Sequence, residues 1–342
     1  MKIVILAGGY SPEREVSLSS GSLIANSLMK SGHEVALVDL YLGVKEGEDV
    51  FRTRGEYRHV ITETEPDLAR LKRESGNGEA LIGRGVLELC QKADLTYLAL
   101  HGGMGENGQL QAVLDSFGIS YTGSGYIGCL LAMDKGITKE LLRHASLPTP
   151  PGITVRASAP DAVDTIRATV GLPCVVKPSS CGSSVGVSIV EDESALRAAL
   201  AEAARWEDSV LVEEKIVGRE FSIGILDGVA LPPIEIIPLS GFYDYRNKYQ
   251  SGMTKEICPA DLTEAQNQAL ASASEAVFRV LRLEGYSHID FILSERDGLF
   301  YCLEANALPG MSPTSLLPQE AAAAGIGYDA LCERIAMMAL EK

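Results

Sequence analysis

One stretch near the carboxyl end of the chain, residues 288–311, restricts the fold more than any other. It reads HIDFILSERDGLFYCLEANALPGM, two segments of alternating apolar residues around a short polar turn. Residues 296–298 fit a three-residue hairpin loop with Gly298 in the left-handed conformation. This register pairs residues whose numbers add to 594, as 290 and 304 do. The stretch therefore predicts an antiparallel hairpin with Asp290 directly opposite Glu304.

The predicted hairpin gathers oxygen atoms on one face of a sheet. Because side chains alternate along a strand, Asn306 shares the face of Glu304. Carboxylate and amide oxygens are ligands that Mg²⁺ prefers, with substrate phosphates completing its shell. A solvated polar face is the alternative, but the intervening residues are strongly apolar and such a face normally mixes both signs of charge. Asp290, Glu304 and Asn306 are therefore the predicted magnesium ligands.

The first third of the chain alternates strand and helix patterns. Strands separated by helices predict βαβ units and a parallel sheet. A polar, charge-rich insertion at 41–85 interrupts the alternation, with one expected helix at 66–74 and no chemistry that we can assign. The expected strands are Lys2–Leu6, Glu34–Asp39 and Leu95–Leu100, and the expected helices cover 16–30 and begin again at Gln109.

The proline-rich segment LPTPPG, residues 147–152, breaks the chain because paired prolines disfavour both helix and central strand. A second set of strands and helices follows it, with a long polar and aromatic loop at 238–259. The expected helices are 159–169, 193–206 and 263–283, and the expected strands are 174–177, 187–190, 210–214, 220–226 and 231–237.

Composition argues against several classes of partner. The 342 residues suggest two or three domains, and their formal net charge of −16 would repel nucleic acid and anionic membrane surfaces. No apolar run reaches the roughly 18–20 residues of a membrane span, and the short apolar start does not resemble a signal peptide. The seven cysteines include no C-x-x-C pair, which indicates reduced thiols and a cytoplasmic protein.

A Gly/Ser-rich loop, residues 177–186, is a candidate phosphate site. Its small residues would let backbone N–H groups approach phosphate oxygens, and Lys177 supplies positive charge. The loop does not match the P-loop pattern, and a mobile turn is an equal alternative. Lys135 is a second candidate cation, although a lone lysine is normally a surface charge. Cys181 within the loop is either an inert small residue or a thiol activated by amide donors.

Two further loops need interpretation. Residues 242–260 combine aromatic and basic side chains, and Lys248 and Tyr249 would suit a lid that excludes water from a phosphorylated intermediate. A connection without a role is the alternative. Residues 123–128 fit G-x-G-x-x-G, but they follow only a stub of strand and lack the acidic residue expected about 20 positions later. An NAD site is therefore disfavoured.

Six motifs, in this order, resemble those of the D-alanine–D-alanine ligases, a family of ATP-grasp enzymes. The resemblance covers nearly the whole chain except the insertion at 41–85. The motifs are AGGYSPEREVSLSSG (7–21), LALHGGMGENGQLQ (98–111), YTGSGYIGCLLAMDK (121–135), VVKPSSCGSSVGVS (175–188), YDYRNKY (243–249) and LEANALPGMSPTSL (303–316).

The resemblance implies a three-domain ATP-grasp fold, α/β in an N-terminal parallel-sheet domain and α+β in the ATP-grasp part. The implied domains are 1–122 for substrate binding, 123–214 with the Gly/Ser loop, and 215–342 with the lid loop at 238–259. In this family the carboxylate of one D-alanine attacks the γ-phosphate of ATP, and the amine of a second attacks the acyl phosphate. The implied cofactors are ATP and two Mg²⁺ ions, which Mn²⁺ could replace.

The motifs also imply roles for individual residues. Glu13 and His101 would bind the first substrate, and Ser315 and Leu316 the second, while Gly310 would donate its N–H to the oxyanion. A hydrogen-bonded triad of Glu13, Ser183 and Tyr249 would tie the lid shut. The implied phosphate lysines are Lys135, Lys177 and Lys248, the implied nucleotide contacts are Glu213 and Glu220, and the implied metal ligands are Asp290, Glu304 and Asn306.

His288 departs from the family pattern, which usually has arginine two residues before the first metal-binding aspartate. An imidazole is a less reliable donor than an always-charged guanidinium, and loss of one oxyanion donor costs roughly 3–4 kcal/mol. We expect activity to fall with rising pH more steeply than in an arginine-bearing relative. A packed histidine whose role another cation fills is the alternative.

The sequence favours one function over three others. Tyr249 and Leu316 favour D-alanyl-D-alanine synthesis for peptidoglycan precursors over relatives that make D-alanyl-D-lactate or D-alanyl-D-serine. An ATP-grasp paralogue with another acceptor, a catalytically weak nucleotide-binding protein and an NAD oxidoreductase are the alternatives. The expected partners are small-molecule substrates, with neither nucleic acid nor membrane, and a homodimer is compatible with the resemblance.

Overall fold

The computed structural model describes residues 1–45, 47, 49–61, 66–182, 184–239 and 254–341. None of the helices described there is both long and apolar enough to cross a membrane. The strands are β1 (Lys2–Ala7), β2 (Glu34–Asp39), β3 (Leu95–Leu98), β4 (Gly152–Arg156), β5 (Cys174–Pro178), β6 (Ser188–Val190), β7 (Ser209–Glu214), β8 (Gly218–Leu226), β9 (Val229–Ala230), β10 (Ile234–Pro238), β11 (Thr254–Ile257), β12 (Tyr286–Ser294) and β13 (Phe300–Asn306). The α-helices are α1 (Arg14–Lys30), α2 (Leu68–Ser75), α3 (Val86–Cys90), α4 (Gln109–Ser116), α5 (Tyr126–Met133), α6 (Lys135–His144), α7 (Ala162–Thr169), α8 (Glu193–Ala204), α9 (Glu264–Val280), α10 (Leu316–Ala323) and α11 (Tyr328–Met338).

The first sheet has three parallel strands in the order β2-β1-β3. Every residue of β1 after Lys2 is buried, as a strand covered on both faces requires. β1 pairs with β2 from Lys2↔Glu34 onward and with β3 from Ile3↔Leu95 onward. The parallel sheet predicted from the alternation of strands and helices is therefore confirmed.

The second sheet is antiparallel, in the order β4-β7-β5-β6. Helices α7 and α8 contribute Ile166 and Leu196 to its core, where they lie with Val176 and Val212 of the sheet. β4 begins directly after the proline-rich break, in a place where the sequence patterns predict no strand. Because β4 pairs with β7, the proline-rich segment is joined to the sheet that contains Lys177.

The third sheet runs in the order β11-β10-β8-β12-β13, with β9 paired to β8. The predicted loop at 238–259 is wrong at its ends, because β10 continues to Pro238 and Thr254–Ile257 forms β11 beside it. Local composition does not predict a strand at Thr254–Ile257. These four residues are extended because they pair with β10. Residues 240–253, between the two strands, lie outside the described part of the chain.

The hairpin of β12 and β13 forms as predicted, with one compensating irregularity. Gly298 has φ 70°, as expected, but Ser294 N–H donates to Leu299 O at 2.9 Å, so the loop has four residues instead of three. A β-bulge in β13 then inserts one extra residue between the partners of Asp290 and Phe291. The bulge restores the predicted register, and Asp290 lies opposite Glu304.

Three hydrophobic clusters hold the sheets to their helices. The first sheet shares its cluster with the C-terminal helix α11, whose Leu331 and Ile335 pack in the same core as Leu28 of α1. Helices α5 and α6, which the sequence patterns do not predict, contribute Cys129 and Leu142 to the core of the third sheet. The chain passes from the first sheet to the second between β3 and β4, and from the second to the third between β7 and β8. The domain boundaries inferred from the resemblance stay a prediction.

Candidate active site

Two cavities meet beside the hairpin of β12 and β13. The smaller has a volume of about 280 Å³ and the larger about 770 Å³. Lys135, Asp290 and Glu304 line both, so these three residues form the junction. The other predicted site residues lining the smaller cavity are Glu13, His101, His288, Asn306, Gly310, Ser315 and Leu316, and those lining the larger are Lys177, Glu213 and Glu220. Ser183, Lys248 and Tyr249 lie outside the described residues.

The carboxylate of Asp290 faces the junction with one oxygen unsatisfied. The residue is 7% exposed, and its Oδ1 is buried without a hydrogen-bond partner in the part of the chain that the structure describes. Its Oδ2 lies 3.7 Å from His288 Nε2. A buried carboxylate oxygen without a donor is costly, and a bound cation would remove that cost.

The residues at the junction fit a magnesium ion. The paired Asp290 and Glu304 and the nearby Asn306 supply hard oxygen ligands. Asn306 Oδ1 accepts the N–H of Leu308 at 2.9 Å, which orients the amide and leaves its oxygen a second lone pair. Within the described ranges no three His, Cys, Asp or Glu side chains form a metal cluster, and the predicted set has two carboxylates and an amide.

Lys135 brings a positive charge to the junction. It is the first residue of α6, whose start is fixed by the Asp134 side chain accepting the N–H of Ile137 at 3.0 Å. Its Nζ lies 3.3 Å from Glu304 Oε2 and donates to the carbonyl of Cys181 at 2.7 Å. Lys135 therefore joins the predicted metal site to the Gly/Ser loop, as a phosphate-binding lysine should.

The thiol of Cys181 is not activated. Burial raises its pKa, and the charge of Glu207 adds to that effect more than Lys135 opposes it. The direction of this shift favours the interpretation of Cys181 as an inert small residue over that of an activated thiol. The residue contributes its carbonyl to Lys135.

Glu213 lies between two lysines in the wall of the larger cavity. Its Oε1 is 2.8 Å from Lys139 Nζ and its Oε2 is 2.5 Å from Lys177 Nζ. Burial would raise the pKa of Glu213, but the two lysines outweigh it and lower that pKa. Burial lowers the pKa of Lys139, whereas for Lys177 the carboxylates of Glu213 and Glu304 outweigh burial and raise the pKa. Two cations against one anion favour a bound phosphate here.

Lys139 is a candidate site residue that sequence reasoning missed. Its side chain is fully buried, and its Nζ also donates to the carbonyl of Cys302 at 2.7 Å. The signal that could have found it is its position four residues after Lys135, on the same face of α6. Because both oxygens of Glu213 contact lysines, its predicted contact with the nucleotide stays a prediction.

The far end of the smaller cavity is acidic. Glu13 and His101 lie there as predicted, together with Glu106, which sequence reasoning missed. His101 Nδ1 lies 3.6 Å from Glu106 Oε1, since a 3₁₀ turn at Gly103–Gly105 folds the chain back. Burial would lower the pKa of His101, but Glu106 and Glu13 outweigh it and raise that pKa. Burial also raises the pKa of Glu106, with a contribution from Glu13.

The segment before α10 closes the smaller cavity. Gly310 lies so near Ser315 that an added Cβ would be 2.8 Å from Ser315 Oγ. Ser315 Oγ accepts the N–H of Ser312 at 3.2 Å. Ser315, the N-cap of α10, makes no capping hydrogen bond with its side chain among the described residues, and a helix N-terminus of this kind next to Leu316 favours an anion such as a substrate carboxylate.

The glycines of the G-x-G-x-x-G stretch have packing roles. A Cβ on Gly128 would lie 2.5 Å from the carbonyl oxygen of Arg282. Gly125 is the N-cap of α5, whose Cys129 and Ala132 are buried in the core of the third sheet. Close packing of α5 therefore accounts for small residues there, in agreement with the interpretation against an NAD site.

Comparison with known proteins gives consistent matches over nearly the whole chain. Residues 2–124 match the family model of the D-ala D-ala ligase N-terminus, and residues 141–337 match that of the D-ala D-ala ligase C-terminus. D-alanine–D-alanine ligase of Pediococcus pentosaceus is 43% identical, over 98% of this chain and 97% of its own length. The Lacticaseibacillus casei enzyme is 40% identical, over 96% and 92%.

Solved structures agree with the sequence matches. D-alanine–D-alanine ligase from Bacillus anthracis complexed with ATP has a TM-score of 0.77 at 31% identity, covering 100% of this chain and 97% of that one. A second structure of that enzyme has a TM-score of 0.78 at 32% identity, covering 100% and 98%. The predicted ATP-grasp fold class is confirmed by these matches.

Proposed function

The chain belongs to the D-alanine–D-alanine ligase family, and from that premise we propose that it is an ATP-dependent, ADP-forming ligase joining two D-alanine molecules. The observation that carries the proposal is the junction of two cavities at Lys135, Asp290 and Glu304. The larger cavity contains Lys135 and Lys177, which suit a triphosphate, and the smaller contains Glu13 and Glu106, which suit an ammonium group. Their meeting point is where a carboxylate and a γ-phosphate would react.

The proposed reaction has two steps. A carboxylate oxygen of the first D-alanine attacks the γ-phosphorus of ATP, the bond from that phosphorus to ADP breaks, and an acyl phosphate forms. The amine of the second D-alanine then attacks the acyl carbon, and the bond to the phosphate breaks. Phosphate leaves, and the nitrogen loses a proton. The protein must neutralise charge on the phosphoryl group and exclude water from the acyl phosphate.

The larger cavity would hold the nucleotide. Lys135 and Lys177 face it, and the buried partner Lys139 adds positive charge behind them. Positioned cations of this kind stabilise the negative charge on a transferring phosphoryl group. Glu220 lies on the same wall and is proposed, with Glu213, to contact the base or the ribose.

The smaller cavity would hold the amino acids. Glu13 is proposed to bind the ammonium of the first D-alanine, with His101 and Glu106 beside it. The second D-alanine would lie against Ser315 and Leu316 at the start of α10. The N–H of Gly310 and the side chain of His288 are the proposed donors to the oxyanion of the tetrahedral intermediate.

Asp290, Glu304 and Asn306 are proposed to hold Mg²⁺, with Mn²⁺ as a substitute and two ions as the expected number. Such an ion, when bound, would neutralise charge on the β- and γ-phosphates. The support from this chain is the oxygen ligand set and the orphaned Oδ1 of Asp290. Lys135 Nζ lies 3.3 Å from Glu304 Oε2 and orients that carboxylate.

Other elements of the proposal rest on family membership alone. They are the triad of Glu13 with Ser183 and Tyr249, the phosphate contact of Lys248, and the domain boundaries at 122/123 and 214/215. The same support applies to a role in peptidoglycan precursor synthesis in the cytoplasm and to a homodimer. Each is an expectation that follows from membership of the family.

Phosphate release with D-alanine and Mg·ATP, followed by mass analysis of the product, tests the proposal. We expect ADP, phosphate and a product with the mass of D-alanyl-D-alanine. Supplying D-lactate or D-serine as competing acceptors distinguishes this activity from that of a paralogue with a different acceptor. A mixed product formed in preference to the dipeptide, or ATP binding without turnover, would contradict the proposal.

A further inference from the structure

The insertion at 41–85, which has no assigned role, reaches the smaller cavity. Ile61 lines that cavity together with Val16 and Ser19 of α1, the helix that follows Glu13. Its side chain is 49% exposed, so it lies at the mouth of the cavity and not in a protein core. The neighbouring Val60 is 83% exposed and lines neither cavity described above.

Contacts at three successive positions fix the segment that carries Ile61. Arg52 forms an antiparallel bridge to Val35 of β2, with N···O distances of 2.8 and 2.9 Å. Tyr57 exchanges two hydrogen bonds of 2.9 Å between its backbone and the Asn26 side chain of α1. The Arg52 guanidinium also lies 4.9 Å from the centroid of the Tyr57 ring.

The third contact lies closest to the cavity. His59 Nε2 is 2.7 Å from Glu15 Oε2, on the same turn of chain as Glu13. Both side chains are largely buried, with exposures of 27% and 18%. This contact holds the chain two residues before Ile61 against the start of α1, and so gives Ile61 a defined position.

We propose that Ile61 is a specificity-determining residue that limits the size of the amino-acid side chain accepted in the smaller cavity. The inference rests on the proposed function and extends it to a part of the chain outside the motifs. Ile61 and Val16 both line the smaller cavity and give it apolar surface suited to a methyl group, whereas a longer side chain would contact Ile61. His59 is the positioning residue, because it acts through the segment and does not itself line the cavity.

The test compares D-alanine with D-2-aminobutyrate, which has one more methylene. A methylene in an apolar pocket changes discrimination by roughly 10–200-fold. We expect Ile61→Ala to lower the ratio of kcat/KM for D-alanine to that for D-2-aminobutyrate by about tenfold. Ile61→Leu should keep the ratio within about twofold of the original, because it keeps the side-chain volume. Val60→Ala is the matched control and should leave the ratio unchanged.

The role of His59 has its own test. His59→Ala should lower the same ratio, while His59→Gln, which keeps an N–H donor for Glu15, should restore it. A ratio that Ile61→Ala leaves unchanged would overturn the proposal. A ratio that changes with Ile61→Ala but not with His59→Ala would overturn the positioning role.

A binding measurement separates this inference from the proposed function. NMR of the free amino acids, titrated with enzyme without nucleotide, gives the relative affinity for D-alanine and D-2-aminobutyrate. If the original chain binds both amino acids but makes no dipeptide, the proposed function fails. The change that Ile61→Ala causes in the relative affinity for the two amino acids still decides the inference. If the chain binds neither amino acid, both proposals are overturned.

Discussion

The two cavities that meet at Asp290 each contain a buried titratable group between two side chains of the opposite charge. The larger has Lys139 and Lys177 around Glu213, and the two ammonium groups lower the pKa of the carboxyl despite its burial. The smaller has Glu13 and Glu106 around His101, and the two carboxyls raise the pKa of the imidazole despite its burial. In each cavity the two flanking side chains set the direction in which the pKa of the central group shifts. This difference shows how one cleft can receive phosphates from one side and an ammonium group from the other.

Replacing Asp290, one of the three residues that line both cavities, should have the largest effect. Asp290→Asn keeps the shape but removes the charge at the junction, so we expect kcat to fall about a thousandfold, or about 4 kcal/mol. Steady-state kinetics with D-alanine and Mg·ATP measure this effect. Asp297→Asn, at the exposed turn of the same hairpin, should retain full activity. A junction variant with more than a tenth of the original kcat would break the account of a shared reaction site.

Neutralising Glu213, the central group of the larger cavity, should affect stability and nucleotide binding. Glu213→Gln removes the carboxylate that contacts two buried lysines, and we expect the free energy of unfolding to fall by about 3 kcal/mol. The KM for ATP should rise, while the KM for D-alanine should stay unchanged. Glu214→Gln is the control, because its partner Arg296 is 59% exposed and an exposed pair contributes little. Equal losses of stability in the two variants would contradict the prediction.

The same carboxyl predicts an acid dependence of stability. The pKa of Glu213 is lowered in the folded state from an ordinary value of 4.5. Its contribution is therefore fully present above about pH 4.5 and is lost as pH falls through the folded-state pKa. Urea unfolding at a series of pH values should show the difference between the original chain and Glu213→Gln narrowing in acid. A difference independent of pH would count against the ion-pair interpretation.

Removing the charge of Glu106 in the smaller cavity should affect binding of the amino-acid substrate alone. Glu106→Gln removes the main cause that raises the pKa of His101, so burial should lower that pKa in the variant. NMR titration of the imidazole protons measures this shift, and we expect about a tenfold rise in the KM for D-alanine, or about 1.4 kcal/mol. The KM for ATP should not change. Asp115→Asn, whose carboxyl accepts the Tyr121 hydroxyl elsewhere, is the control.

Exchange of His288 should have the smallest effect at neutral pH. His288→Arg replaces an imidazole with a guanidinium, which is always charged. We expect kcat within a few-fold of the original at pH 7 and a flatter decline at alkaline pH. The pH–rate profiles of the two enzymes decide the matter. Superimposable profiles would mean that another cation fills the role of the family arginine.

The parts of the fold that local chemistry determines could be predicted from the sequence. The hairpin shows this best, since alternation and a turn glycine placed Asp290 opposite Glu304. The loop length was wrong by one residue, and a bulge in β13 compensated for it. Pattern rules do not foresee a bulge, because it depends on contacts of Cys302 outside the sheet, with Pro148 and Lys139.

The residues that sequence reasoning missed owe their roles to tertiary contacts. A lysine within MDKGITKE looks like a surface charge, but Lys139 is fully buried and its partners are Glu213 of β7 and the carbonyl of Cys302. Glu106 contacts His101 across the turn at Gly103–Gly105, and the glycines of that turn do not predict the direction in which the chain continues. Ile61 lies in a polar insertion without a motif, and contacts with α1 bring it to the cavity. Such roles follow from the packing of distant segments and not from local spacing.

A crystal structure with a non-hydrolysable ATP analogue and D-alanine bound is the most direct test of the shared junction. The account predicts the triphosphate in the larger cavity, its terminal phosphate facing Lys135 and Asp290. It also predicts a D-alanine in the smaller cavity, its ammonium at Glu13 and its carboxylate directed at that phosphate. A nucleotide bound away from Lys177, or a D-alanine whose carboxylate points away from the junction, would contradict it.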